Sequence, residues 1–137
     1  MAMIYIGIDP GKHTGLAVWN AKERRMDMVQ TMPIHRALQV VYQLYMEDDD
    51  TCVVFEDARK RKWYSGDAGA KQQGAGSIKR DCTIWEDFCQ DLGIPYKMVP
   101  PQKGMTKWPA DYFRKLTGYD GRTSDHARDA AALVFGR

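Results

Sequence analysis

The chain has 137 residues, of which 44% are hydrophobic and 28% are charged, and its formal net charge is +2. This length favours one domain, expected to span residues 1–137, that can bury a core without disulfides. No apolar run approaches the ~20 residues of a membrane span. The three cysteines form no C-x-x-C pair, so neither a zinc site nor a disulfide framework is indicated. A net charge this small does not by itself indicate nucleic-acid binding.

The first third of the chain predicts an antiparallel meander. The apolar stretch at 4–8 is short and runs straight into Asp9-Pro10-Gly11, and no basic segment precedes it as in a signal peptide. Residues 3–9 therefore predict a first strand, in an intracellular, cytoplasmic protein. Segments 16–19 and 26–32 predict two more strands, because short polar stretches connect them. From Ile34 the apolar residues recur at helical spacing, which predicts a helix that an acidic run ends.

The rest of the chain alternates between strand and helix patterns. The predicted elements are, in order, a strand at 51–55, a helix that emerges from the glycine-rich segment 65–77 and ends at Gly93, a strand at 95–99, and helices at 110–116 and from Thr123 or Ser124 to Phe135. Strand–helix–strand units place their strands in parallel. The sequence therefore predicts an α/β fold with a five-stranded mixed sheet, in which an antiparallel meander is followed by parallel strands and helices flank the sheet.

Acidic residues stand where this fold brings elements together. Asp9 closes the first predicted strand, Glu56 closes the fourth, and Asp125 and Asp129 lie in the last predicted helix. An unpaired charge at the end of an apolar strand is costly to bury. Two such acids at matching strand ends, with more acids on a helix, are better explained by a bound cation.

The last helix presents its candidate ligands at helical spacing. Ala127, Ala130, Ala131 and Val134 share the face that must pack on the sheet. Asp129 lies on the edge or the far side of that face, with His126 at i−3 and Asp125 at i−4. Either residue can act with Asp129; Asp125 is also typical of a first helical turn, where an acid offsets the helix dipole. Such ligands suit Mg²⁺ or Mn²⁺, and two ions ~4 Å apart promote phosphodiester cleavage.

A dense basic run follows Glu56 and continues into two aromatic residues. Cations beside stacking side chains favour contact with unpaired or distorted nucleic acid, although a solvated surface is the alternative interpretation. The candidate DNA-binding residues in and after this run are Arg59, Lys60, Arg61, Lys62, Trp63, Tyr64, Lys79 and Arg80.

Three motifs resemble RuvC-type Holliday junction resolvases of the ribonuclease H-like superfamily. Ile6-Gly7-Ile8-Asp9-Pro10-Gly11, followed by Thr14-Gly15-Leu16-Ala17, is similar to the opening of that family. Glu56 after an apolar strand and the segment from His126 to Leu133 resemble its second and final motifs. The resemblance extends over nearly the whole chain, in order and in approximate spacing.

This resemblance implies a ribonuclease H-like fold and a metal-dependent endonuclease that nicks two opposing strands of a four-way DNA junction. It places the catalytic and metal-binding residues on Asp9, Glu56, His126 and Asp129, with Asp125 as the alternative fourth acid, and it implies Mg²⁺ or Mn²⁺ with two ions per site. Lys103 and Lys107, in the loop after the fifth strand, become candidate contacts to the scissile phosphate. The resemblance also implies a homodimer, for which the helix that begins near Gly74 and Gly76 offers close approach.

The chain departs from this family in ways that affect the substrate. It is shorter than typical bacterial members, and its basic run replaces a largely apolar loop; Trp63 or Tyr64 would have to supply the stacking aromatic. A compact chain of this kind resembles the resolvases of phages and mobile elements.

Three other functions are compatible with parts of the pattern. A related nuclease that cuts structured RNA or RNA–DNA hybrids would use the same acids. An actin-like ATP-binding module would use the glycine turn after Asp9, but it needs two related domains, so no nucleotide cofactor is expected. A junction-binding module without catalysis would leave the acids without a function.

Overall fold

The computed structural model describes residues 2–60, 68–100 and 107–137, without the side chains of residues 60 and 68–75. Its elements are β1 (Ile4–Asp9), β2 (His13–Asn20), β3 (Arg25–Pro33), α1 (Ile34–Glu47), β4 (Thr51–Glu56), a 3-10 turn (Ala58–Lys60), α2 (Ala68–Leu92), β5 (Tyr96–Val99), α3 (Ala110–Thr117) and α4 (Asp125–Val134). Among the helices of these ranges, none combines the length and apolar character needed to cross a membrane.

The five strands form one sheet in the order β3-β2-β1-β4-β5. β2 runs antiparallel to β1 and β3, whereas β1, β4 and β5 are parallel. The predicted five-stranded mixed sheet is therefore confirmed. The carboxyl ends of β1, β4 and β5 lie at one edge of the sheet, which we call the carboxyl edge, and β2 begins there because Gly15 pairs with Asp9.

One face of the sheet is covered by α1 and α2 through large apolar side chains. Trp85 and Cys89 of α2, Val41 of α1 and Phe55 of β4 belong to this core and are completely buried. Cys82 is buried in the same core, seven residues before Cys89 on the same helix. This face carries most of the large side chains removed from water, and hydrophobic stabilisation scales with that area.

The other face is covered by α4, and here backbones approach closely. A Cβ atom at Gly7 would lie 2.1 Å from the carbonyl oxygen of Ala130, and one at Gly15 would lie 2.0 Å from that of His126. Only glycine leaves this space open. Small residues on both partners, including the buried Ala127 and Ala130, therefore let α4 lie directly on β1 and β2.

Candidate metal centre

Asp9 and Glu56 stand beside each other at the carboxyl edge. They lie one residue beyond Ile8 and Phe55, the last pair between the parallel strands β1 and β4. Ile8 and Phe55 face the α1/α2 core, and side chains alternate along a strand. Both acids are therefore directed to the face that α4 covers, and both are half-buried.

Helix α4 brings two further side chains to this edge. The Ser124 hydroxyl accepts a hydrogen bond from the Ala127 amide at 3.3 Å, so Ser124 and not Thr123 is the N-cap, a role for which serine is favoured. His126 and Asp129 follow at i, i+3 spacing and share one side of the helix. Because Gly15 lies against the backbone of His126, the cap and the close packing fix this side relative to Asp9.

Asp9, His126 and Asp129 form a compact group of potential metal ligands. Each offers one ligand atom, and these atoms all lie within 4.8 Å of one another. His126 Nδ1 lies 2.9 Å from Asp9 Oδ2. The side chains of Asp9 and Asp129 are 27% and 28% exposed, and that of His126 is 61% exposed. Two carboxylates and an imidazole on a partly open edge fit a divalent cation such as Mg²⁺ or Mn²⁺, with the nitrogen favouring Mn²⁺.

The other two predicted acids are placed differently. In the described part of the chain, the group within 4.8 Å does not include Glu56, which lies on the strand next to Asp9. Asp125 is 80% exposed and accepts a hydrogen bond from Arg128 within the first turn of α4. The structure does not bring Asp125 to the group, which favours its role at the helix end.

The electrostatics of the group reflect two carboxylates held close together. Burial raises the pKa of Asp9, and the negative charge of Asp129 raises it further, whereas the hydrogen bond from His126 lowers it. Lys107 Nζ lies 3.0 Å from Asp129 Oδ2, and this hydrogen bond raises the pKa of Lys107. A divalent cation would stabilise both carboxylates in their ionised form. Lys107, predicted to contact the scissile phosphate, thus lies at the group.

Arg128 is a site-adjacent residue that the sequence patterns did not single out. Its Nε donates to the Trp108 carbonyl at 2.8 Å, and its Nη1 donates to the Thr123 carbonyl at 2.9 Å and hydroxyl at 2.8 Å. A sequence signal was present: arginine interrupts a run of alanines next to Asp129, and a buried arginine requires partners.

The basic run is divided between a structural residue and residues outside the described ranges. Arg59 donates from Nε to the buried Asp57 at 2.7 Å and from Nη1 to Glu86 at 2.9 Å, and these hydrogen bonds raise its pKa. It therefore ties the end of β4 to α2, and its predicted contact with DNA stays a prediction. Arg61, Lys62, Trp63, Tyr64, Lys103 and the side chain of Lys60 lie outside the described residues.

The remaining predicted basic residues lie on α2. Lys79 is half-buried, and Arg80 is exposed, with its Nη2 3.6 Å from Asp81 Oδ1. They lie one turn before the residues of α2 that pack on the sheet. The structure leaves them as candidates for DNA contact and does not test that role.

The sheet order, its mixed strand directions and the helices on both faces define a ribonuclease H-like fold. Two solved structures of RuvC from Thermus thermophilus share it. One has a TM-score of 0.61 and 18% identity and covers 97% of this chain and 92% of its own. The other, RuvC in complex with a Holliday junction substrate, has a TM-score of 0.57 and 16% identity and covers 97% of this chain and 91% of its own. No family model and no curated protein matches the chain. The predicted RuvC-like fold is confirmed.

Proposed function

We propose that this protein is a metal-dependent endodeoxyribonuclease that resolves four-way DNA junctions. The observation that carries the proposal is the group of Asp9, His126 and Asp129, placed beside Glu56 at the carboxyl edge of a ribonuclease H-like sheet. The solved complex of Thermus thermophilus RuvC with a Holliday junction substrate supports the proposal, because that RuvC has a similar fold. Residues 1–137 would form one nuclease domain that acts inside the cell.

In this proposal each site residue has a defined task. Asp9, His126 and Asp129 would hold one divalent cation, and Glu56 would complete the site for a second. Such ions would supply an activated water molecule and charge stabilisation for the leaving oxygen. Lys107 binds a non-bridging oxygen of the scissile phosphate, since its ammonium group already lies at Asp129.

The proposed oligomeric state follows from the proposed paired nicking of the junction. Two symmetrical cuts in one junction require two sites, so the protein acts as a homodimer, with α2 near Gly74 and Gly76 as the proposed contact. Mass determination in solution tests the dimer, and a monomer at the concentrations that support paired nicking would contradict it.

The test is a cleavage assay on a labelled synthetic four-way junction with Mg²⁺ or Mn²⁺. Linear duplex, an RNA–DNA hybrid and a structured RNA are run alongside. We expect the wild-type protein to make symmetrical nicks in the junction and to leave the other substrates uncut. The variants Asp9→Asn, Glu56→Gln and Asp129→Asn should bind the junction without cutting it. Asp111→Asn, an exposed acid in the first turn of α3, is the matched control and should cut normally.

Other outcomes of this assay would point to the other functions. Cleavage of the hybrid or the RNA in preference to the junction would make the protein a different nuclease of the same fold. Binding of the junction without cleavage under either ion would favour a non-catalytic module. Full activity of Glu56→Gln would remove Glu56 from the site.

The basic run is tested by the salt dependence of junction binding. Arg61→Ala/Lys62→Ala should weaken binding and make log Kd less dependent on log salt concentration, by about 0.9 per lost phosphate contact. Lys22→Ala/Lys115→Ala, which changes two exposed lysines elsewhere, should leave the slope as it is. An equal slope in all three proteins would exclude the run as a DNA contact.

A further inference from the structure

Arg128 directly precedes Asp129, a candidate metal ligand, yet its side chain faces the interior. It is 8% exposed, and Nε, Nη1 and Nη2 all donate hydrogen bonds to oxygen atoms of other residues. The rigid, planar guanidinium can bind several acceptors at fixed directions at once, which an ammonium group cannot do. A buried charge with this many partners holds its partners in place.

The partner of Nε is the backbone that carries the site lysine. Arg128 Nε lies 2.8 Å from the Trp108 carbonyl oxygen, and Lys107 is the residue before Trp108. Asp129, the acceptor for Lys107 Nζ at 3.0 Å, is the residue after Arg128. Two hydrogen bonds thus join the same short segments, one from the Arg128 side chain to the backbone carbonyl of Trp108 and the other between the side chains of Lys107 and Asp129.

The Lys107 side chain has few other restraints. It is 74% exposed, and within the described part of the chain its ammonium group donates a hydrogen bond to Asp129. By contrast, the Trp108 ring packs against Phe113 and Phe135, with ring centroids 6.1 Å and 6.0 Å apart. The position of Lys107 therefore depends on how the Trp108 backbone is anchored.

We propose that Arg128 is a positioning residue for Lys107. It clamps the Trp108 carbonyl to α4 and so keeps the Lys107 ammonium group at Asp129. The catalytic consequence of this role rests on the proposed function, in which Lys107 binds the scissile phosphate. The positioning itself is a property of the protein without DNA.

The kinetic test separates positioning from general support of α4. Arg128→Met keeps the aliphatic stem and buries no unpaired charge, and it is combined with Lys107→Met in a double-mutant cycle on the synthetic junction. We expect Arg128→Met to lower kcat by about 10- to 100-fold when Lys107 is present and less than about twofold when Lys107 is Met. Equal losses in both backgrounds would overturn the proposal, because a purely structural role does not depend on Lys107.

A second measurement does not require cleavage. Acylation of lysines in the DNA-free protein, followed by peptide mass spectrometry, reports the rate at Lys107 relative to Lys115, an exposed lysine on α3. We expect this ratio to change at least about twofold in Arg128→Met, since the Lys107–Asp129 contact is lost; an unchanged ratio would contradict the clamp. If the wild-type protein cuts no junction, the proposed function fails while this ratio still decides the positioning role.

A folding control accompanies both measurements. Arg128 also holds Thr123 and Asp125 at the start of α4, so its loss lowers stability. Each variant is therefore used only below its cooperative melting transition. Where Arg128→Met does not fold, Arg128→Lys replaces it in both measurements with the same expected outcomes. A single ammonium nitrogen cannot replace the three guanidinium nitrogens that bind Trp108, Thr123 and Asp125.

Discussion

The two faces of the sheet are packed by different means. On the α1/α2 face, helices are separated from the strands by large side chains such as Trp85, Phe55 and Val41. On the α4 face, the helix backbone lies against Gly7 and Gly15 with no side chain between. The first arrangement buries much apolar area, and the second fixes the distance between backbones.

This difference matters because the candidate ligands lie on the α4 face. The Asp9–His126 distance of 2.9 Å depends on how close α4 lies to β1 and β2. A side-chain interface can adapt to a changed residue by local repacking, whereas a backbone contact can accommodate a larger residue only if the whole helix moves. We infer that the α1/α2 face supplies most of the stability and that the α4 face supplies the geometry of the site.

The largest expected effect is that of Gly15→Ala. Its Cβ would lie 2.0 Å from the His126 carbonyl oxygen, so α4 must move outward and carry His126 and Asp129 away from Asp9. We expect the free energy of unfolding to fall by about 3 kcal/mol and junction cleavage to fall by about 100-fold. Urea denaturation and the cleavage assay measure the two effects.

The matched control is the same substitution in a helix of the opposite face. A Cβ at Gly76 of α2 meets no atom within 4 Å, and alanine is favoured over glycine in a helix by about 1 kcal/mol. Gly76→Ala should therefore leave stability unchanged or raise it. If Gly15→Ala behaved like Gly76→Ala, the close approach of α4 would not control the site.

A smaller, purely structural effect is expected from Val41→Ala. Val41 is completely buried in the α1/α2 core, and its truncation leaves a cavity that costs about 2 kcal/mol of unfolding free energy. Cleavage per folded molecule should stay within about twofold of wild type at temperatures where both are folded. A large loss of activity without unfolding would mean that this face also shapes the site.

The smallest effect concerns the charge of Asp9. Its pKa is raised by burial, so the folded state binds this proton more tightly than the unfolded chain does, and stability falls as the pH rises from below the ordinary carboxyl pKa through the raised one. In metal-free buffer, Asp9→Asn should therefore raise the unfolding free energy by on the order of 1 kcal/mol at neutral pH. The gain should disappear in acid, where both proteins are uncharged at this position.

A lower unfolding free energy of Asp9→Asn at neutral pH would contradict the expected gain. It would mean that the hydrogen bond of His126 to the ionised Asp9 outweighs the cost of burial. Added Mn²⁺ should reverse the ranking, because an ion that binds the folded state stabilises only the protein that holds it.

Much of the fold follows from local patterns in the sequence. Apolar segments, short polar turns and helical spacing predicted the strands, their mixed directions and the helix that carries His126 and Asp129. Asp9 was identifiable because a charge at the end of an apolar strand is costly to bury without a partner. These signals are local, and each can be read from a few neighbouring residues.

The parts that were not predicted depend on residues distant in the chain. Arg59 forms its ion pairs with Asp57 and Glu86, and only the packing of α2 against β4 brings Glu86 to it. Arg128 reaches Trp108 across a connection that sequence spacing does not define. That His126 and not Asp125 lies within 4.8 Å of Asp9 and Asp129 likewise depends on how α4 lies on the sheet, which sequence spacing does not define.

The Asp9–His126 contact joins residues 117 positions apart, and contacts of this separation form late in folding because loop closure costs entropy. The β1–β2–β3 hairpins close over short turns and emerge first during synthesis. A nascent or partly folded chain therefore holds Asp9 without the two ligands of α4. If the proposed function holds, cutting activity would begin only once α4 has docked and the fold is complete.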